Sequence, residues 1–178
     1  MLRAASGDRL EGVYVLALST GMRAGEILAL QKPDVNLDAG VLQVRRTLIL
    51  NGSGVGTPKS KNSRRTLQLP NIALDALKEH MADGSTPWLF PGRTGQNLRC
   101  HSFINFQWSR LVERAGVEYK CFHTCRHYVA SELLRKGIPI SAVARYLGDN
   151  EVTILRTYSH LIDGMQNMAA SAVDEALG

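Results

Sequence analysis

Val41-Leu-Gln-Val-Arg-Arg-Thr-Leu-Ile-Leu50 alternates along its length, with Leu42, Val44, Leu48 and Leu50 on one face and Gln43, Arg45 and Thr47 on the other. A period of two, carried by β-branched and aliphatic residues, is the signature of a half-buried strand. Asn51-Gly-Ser-Gly-Val-Gly-Thr-Pro58 follows as a turn-rich loop. Arg64 to Leu69 then alternates again, with Leu67 and Leu69 inward and Arg64, Thr66 and Gln68 outward. The expectation is an antiparallel hairpin with Lys59 and Lys61 close to its connection. Arg-Arg-Thr-Leu occurs at both 45–48 and 64–67, which sets matched arginines on adjacent strands.

On both sides of this hairpin the spacing turns helical. Asp8 caps an apolar stripe of Leu10, Val13, Leu16 and Ala17 that stops at Thr20-Gly21, and a short helix over Arg23 to Gln31 is closed by Pro33. After Pro70, helices are expected from Asn71 through Met81, over His101–Ala115, Thr124–Lys136, Ser141–Leu147 and Val152–His160, and from Asp163 to Leu177. The predicted class is α+β, predominantly α-helical with a small antiparallel β-sheet, in one domain over residues 1–178.

Composition bounds the function. At 44% hydrophobic and 21% charged residues the chain is globular, and its longest apolar run, Val13 to Leu18, is far short of a membrane span. Three cysteines, Cys100, Cys121 and Cys125, cannot all pair within the chain, which fits a reducing, cytoplasmic compartment. The net charge of +5 is unevenly spread. No acid lies between Asp38 and Asp75, a stretch holding Arg45, Arg46, Lys59, Lys61, Arg64 and Arg65, whereas Lys and Arg are missing from Asp163 onward. Such a basic stripe suits a phosphate backbone and equally a merely solvated face.

Three segments carry chemistry. In Thr20-Gly-Met-Arg-Ala-Gly-Glu26, Arg23 stands at a helix start, where free N–H groups favour an anion, with Glu26 spaced to hold its guanidinium. In His123-Thr-Cys-Arg126 an imidazole and a permanently charged fork share one helical face, while His127, one position further, is expected to pack or cap. In Thr157-Tyr-Ser-His160 the Tyr158 phenol needs cations and a base to act as a nucleophile at neutral pH. Each has a bland alternative: a surface ion pair, a polar helix face, a packed tyrosine. Cys121, His123, Cys125 and His127 also invite a metal reading, which helical spacing opposes because residues two apart face away from each other.

The order of these motifs resembles the catalytic domain of the tyrosine recombinases, the phage integrase family: Thr-Gly-Met-Arg-Ala-Gly-Glu, a hairpin with Thr-Pro-Lys-Ser-Lys-Asn-Ser-Arg-Arg-Thr, then Phe-His-Thr-Cys-Arg-His-Tyr, Ala-Arg-Tyr-Leu-Gly148 and Leu-Arg-Thr-Tyr-Ser-His-Leu. The resemblance implies an integrase-type core that recombines or integrates double-stranded DNA through a 3′-phosphotyrosine, without metal or ATP. Arg23, Lys59, His123, Arg126 and the nucleophile Tyr158 fall at the family's active positions, Glu26 at its supporting acid, and Arg45, Lys61 and Arg64 become candidate DNA contacts. It also implies a homo-oligomer, a tetramer, on DNA, possible accessory DNA-bending proteins, and N-terminal core-binding and arm-binding domains that these residues lack. Asp149 stands where the family usually has His or Trp. A carboxylate repels phosphate, so Asp149 turns away, pairs with an arginine, or reduces activity. Two other readings stay open beside recombination: relaxation by a type IB topoisomerase, and a DNA-binding relative that does not cut.

Overall fold

Asp8 opens the helical framework: its Oδ1 accepts from the Leu10 N–H at 2.9 Å and its carbonyl from Glu11 at 2.8 Å. Leu2–Ala5 (α1) precedes it and Glu11–Thr20 (α2) follows. The computed structural model describes residues 1–49, 54–57, 61–82, 86–163 and 166–178, without the side chains at 61, 160, 162, 163, 166–170 and 172. Val13 through Ala17 are all buried, which makes α2 the central helix rather than a one-sided surface helix. It stops at Gly21, whose φ of 65° is the left-handed cap geometry and whose N–H returns to the Ala17 carbonyl. The next helix, Ala24–Leu28 (α3), is shorter than the expected 23–31, and Pro33 lies in the tight turn Lys32–Asp34 beyond it.

The alternating segments pair as predicted, with two changes. Val35–Asn36 (β1), Val41–Val44 (β2) and Arg65–Gln68 (β5) form an antiparallel sheet in the order β1-β2-β5, with Leu42 opposite Leu67. The strand expected over 41–50 breaks at Arg45-Arg46. Arg46 has the inward parity of Leu42 and Val44, and its Nη1 lies 2.5 Å from the buried Asp34 carboxylate, a contact no regular ladder position offers. The chain resumes as Thr47–Leu48 (β3), which pairs with Val55–Gly56 (β4), a strand inside the segment expected to be loop alone. Among the described residues there are therefore two small antiparallel sheets. Leu42, Val44, Leu48, Leu67 and Leu69 are buried as the alternation requires, while Leu50 lies outside the described residues.

The remainder is helical: Asn71–Ala82 (α4), Cys100–Ser102 (α5), a π-helical turn Phe103–Trp108, Ser109–Arg114 (α6), Thr124–Arg135 (α7), Ile140–Leu147 (α8), Glu151–Asp163 (α9) and Gln166–Leu177 (α10). No described helix is long and apolar enough to cross a membrane. Tyr14, Phe103, Trp108 and Phe122 pack with ring centroids 5.0 to 6.4 Å apart, and the Trp108 indole N–H donates to the Lys120 carbonyl at 2.8 Å. Anchoring Phe122 in this way fixes where α7 begins. A second apolar cluster, built from Val129, Ala130, Leu134, Val143, Ala144, Leu147, Ile154 and Tyr158, joins α7, α8 and α9.

Gly21 sits where α2 meets this second cluster. A Cβ there would lie 2.8 Å from Leu147 Cδ2 and 3.2 Å from Val129 Cβ. Gly21→Ala therefore combines a left-handed backbone with overpacking and should destabilise the protein by about 2–4 kcal/mol, read from the urea midpoint.

Candidate active site

Glu26 is only 2% exposed, and a lone buried carboxylate would be strongly unfavourable. Two arginines hold it. Arg65, on β5, forks onto both carboxylate oxygens through Nη1 (3.3 Å) and Nη2 (3.2 Å), its Nε donates to the Tyr146 carbonyl (2.8 Å), and Nη1 also reaches the Ser63 carbonyl (3.1 Å). Arg23, at the N-terminus of α3, donates its backbone N–H to Glu26 Oε2 at 3.1 Å and its Nη1 to Oε1 at 3.4 Å. The acid at the third position of α3 thus caps the helix and orients the arginine that starts it.

Beyond Glu26 the network continues across the fold. Arg23 Nη2 and Arg126 Nη2 both donate to a single oxygen of Asp149, Oδ2, at 3.3 and 2.7 Å. Arg126, on α7 and 4% exposed, donates its Nη1 to the Gly21 carbonyl at 3.0 Å, so the stop of α2 and the first turn of α7 are tied through one guanidinium. Asp149 follows Gly148, which ends α8 at φ 71°; a Cβ on Gly148 would lie 2.6 Å from Arg65 Nη1. Only glycine lets the guanidinium pass beneath that turn. The Asn62 amide donates to the Asp149 carbonyl at 3.4 Å, bringing the turn Lys61–Ser63 to the same place.

Tyr158 completes the cluster from α9. The helix departs from helical geometry at this residue (φ −123°, ψ 18°), the side chain is 6% exposed, and its hydroxyl lies 2.7 Å from His127 Nδ1 on α7. Burial raises the phenol pKa above its ordinary value, with Asp149 adding to the rise and Arg126 opposing it. His123 stands at the start of α7, its ring edge-on to His127 at 5.0 Å. Partial desolvation, then His127, Arg126 and Arg23, push its imidazole pKa below the ordinary value, with Asp149 opposing them.

The six residues Arg23, Glu26, His123, Arg126, Asp149 and Tyr158 thus gather from four separate segments. Of the three outcomes open to Asp149, pairing with an arginine is the one observed, and it pairs with two. Lys59 lies outside the described residues, as does the Lys61 side chain. Arg45 and Arg64 remain exposed and line a groove with Gln43, Arg46, Arg65 and Thr66; Arg45 touches Gln43 and lies 3.9 Å from Asp34. Cys125 packs in the core, Cys121 is exposed beside Thr124, and among the described residues no three His, Cys, Asp or Glu side chains are grouped to hold a metal. Sequence reading missed two residues. Arg65 shares the inward parity of Leu67 and Leu69, which marks it as the strand's buried charge. His127 was expected to pack or cap, yet it lies four residues after His123, a spacing that shares a helical face as fully as three does.

Chemically, two fixed guanidiniums converging on one anionic oxygen, beside a buried phenol and two imidazoles, form an oxyanion site with a nucleophile and bases at hand. The profile of the phage integrase family matches residues 3–164. The chain is 28% identical over 199 residues to a tyrosine recombinase XerC-like protein of Caldanaerobacter subterraneus subsp. tengcongensis, covering 97% of this chain and 51% of that protein. It is 32% identical over 167 residues to tyrosine recombinase XerD of Rhizobium meliloti, covering 87% and 48%. The chain spans about half the length of these relatives. Its fold superposes with a TM-score of 0.81 on the Tn1549 transposon integrase in complex with a circular intermediate DNA, at 20% identity over 99% of this chain and 62% of that one. It superposes with a TM-score of 0.74 on the XerA recombinase, at 22% identity over 94% and 59%.

Arg65→Met leaves Glu26 buried with Arg23 as its remaining cation and should destabilise the fold by about 3–5 kcal/mol. Adding Glu26→Gln should return part of that loss, a non-additivity that urea unfolding of the double-mutant cycle measures directly.

Proposed function

The chain belongs to the phage integrase family, and we propose that it cuts and rejoins double-stranded DNA at specific sites through a 3′-phosphotyrosyl intermediate, without metal or ATP. One observation carries this reading: Arg23 and Arg126, from helices far apart in the sequence, reach the same anionic oxygen, Asp149 Oδ2. A nonbridging phosphate oxygen fits between the same two donors, and there the guanidiniums stabilise the charge that builds as the phosphodiester is attacked.

Tyr158 attacks in line and keeps the energy of the broken bond as a phosphotyrosine, so the strand rejoins to a new partner without ATP. The phosphate displaces the Asp149 carboxylate, which among the described residues is held by hydrogen bonds to the two arginines. The leaving 5′-oxygen takes a proton from Lys59, or from Lys61 two residues on. Asn62, three residues from Lys59 in the sequence, donates to the Asp149 carbonyl. His123, its imidazole pKa held down by desolvation and by the neighbouring cations, contacts the phosphate or accepts a proton. Glu26 positions Arg23, and the exposed Arg45 and Arg64, together with Lys61, contact the DNA backbone, an interaction weakened by salt. Activity arises in a tetramer on DNA, a reading supported by the exposed Val173 and Leu177 of α10.

Tyr158→Phe should abolish the covalent protein–DNA adduct on a panel of nicked suicide duplexes while leaving DNA retention in native gels within about twofold. An undiminished adduct in the variant overturns Tyr158 as nucleophile. Retention of DNA by the unaltered chain with no adduct on any duplex makes it the non-cutting relative instead.

A further inference from the structure

We propose that His127 is the base that takes the Tyr158 proton, through Nδ1, as the phenol attacks DNA. The inference rests on the recombinase reading above and assigns a step in it that the motif residues leave open.

Four observations converge on this residue. His127 Nδ1, rather than either nitrogen of His123, lies 2.7 Å from the Tyr158 hydroxyl, a length suited to proton transfer along an existing hydrogen bond. The phenol is buried while the His127 ring is exposed, so the imidazole links a desolvated proton to bulk water. Helix α9 leaves regular geometry at Tyr158 itself, and that local turn is where the hydroxyl meets α7. The ring of His123 stands edge-on to His127 at 5.0 Å, and it is the His127 ring, 5.8 Å from that of Tyr158, that lies against the phenol. The charged groups acting on the phenol from the packed elements are Arg126 on α7 and Asp149 after α8.

The step balances without a further reactant. In the Nε2–H tautomer, the Tyr158 O–H donates to the free Nδ1. As the tyrosyl oxygen bonds to phosphorus, its proton passes to Nδ1, the P–O5′ bond breaks, and the leaving oxygen takes a proton from the general acid. The imidazolium keeps both ring protons while the phosphotyrosine exists and, as an acid, returns the Nδ1 proton to the tyrosyl oxygen when the strand is rejoined.

Two probes test the assignment in the full chain. The first is the trapping duplex carrying a 5′-bridging sulfur at the cleaved phosphate, whose thiolate leaves without an acid, so that only the attacking side limits the rate. His127→Gln, which keeps a hydrogen-bonding partner but accepts no proton, should slow adduct formation on it by roughly 100-fold or more, the usual weight of a general base. His127→Ala should be equally slow and recover with added imidazole, which a purely structural role would not do. Adduct formation within threefold of the unaltered rate in His127→Gln overturns the inference alone. No adduct from the unaltered chain removes the recombinase reading, and this inference with it. The second probe needs no DNA: 15N spectra of labelled histidine should show His127 Nδ1 unprotonated and shifted on Tyr158→Phe. A protonated Nδ1 with no response to Tyr158→Phe overturns the proposal whatever the duplex shows.

Discussion

A carboxylate with almost no access to water organises this protein. Glu26 is stable in its position because Arg65 meets both its oxygens and Arg23 meets it from the helix start. Burying such a group without partners would cost several kcal/mol, a large part of the stability of a typical domain. The fold therefore has to bring β5 and α3 together, and Arg65 has to pass beneath Gly148 to do so. That passage fixes the end of α8, and with it Asp149. Arg126 then closes the frame by joining Asp149 to the end of α2. Secondary structure supplies the parts, and the charged network sets their mutual position.

Apolar packing acts on a coarser scale. The aromatic group around Tyr14, Phe103, Trp108 and Phe122 fixes where α7 starts, and the cluster around Val129, Leu147 and Tyr158 fixes how α7, α8 and α9 lie on one another. Aliphatic and aromatic contacts are not directional enough to place a guanidinium to within a few tenths of an ångström. The hydrogen bonds to Gly21, Ser63 and Tyr146 carbonyls supply that directionality. Arg65 and Arg126 each spend donors on backbone oxygens as well as on carboxylates, so the position of each is set by atoms that do not move during any reaction.

Much of this was legible in the residues. Alternation at Leu42, Val44, Leu67 and Leu69 revealed the paired strands, because a half-buried sheet needs a period of two whatever surrounds it. Helix ends at Gly21 and Gly148 were equally visible, since left-handed caps favour glycine. Strong residue-type constraints also marked Arg23, Arg126 and Tyr158. What escaped were pairings between distant segments. Nothing local announces that Arg46 will leave its strand for Asp34, that Arg65 will serve Glu26, or that Asp149 will bridge two arginines. These depend on where separate segments meet. His127 is a different case: its spacing from His123 was in plain view, and only the preference for the three-residue register obscured it.

Asp149 gives the anion site a resident of its own. Because the carboxylate is tethered, it confronts the two guanidiniums at an effective concentration far above that of any free ion in solution. A small anion arriving by itself has to outcompete it with only these two donors to bind. On the proposed reading a DNA phosphate is held along its strand by neighbouring contacts and is tethered in its turn. The site proposed would then discriminate by connectivity rather than by charge, disfavouring free phosphate and sulfate against a phosphate that belongs to a docked polymer.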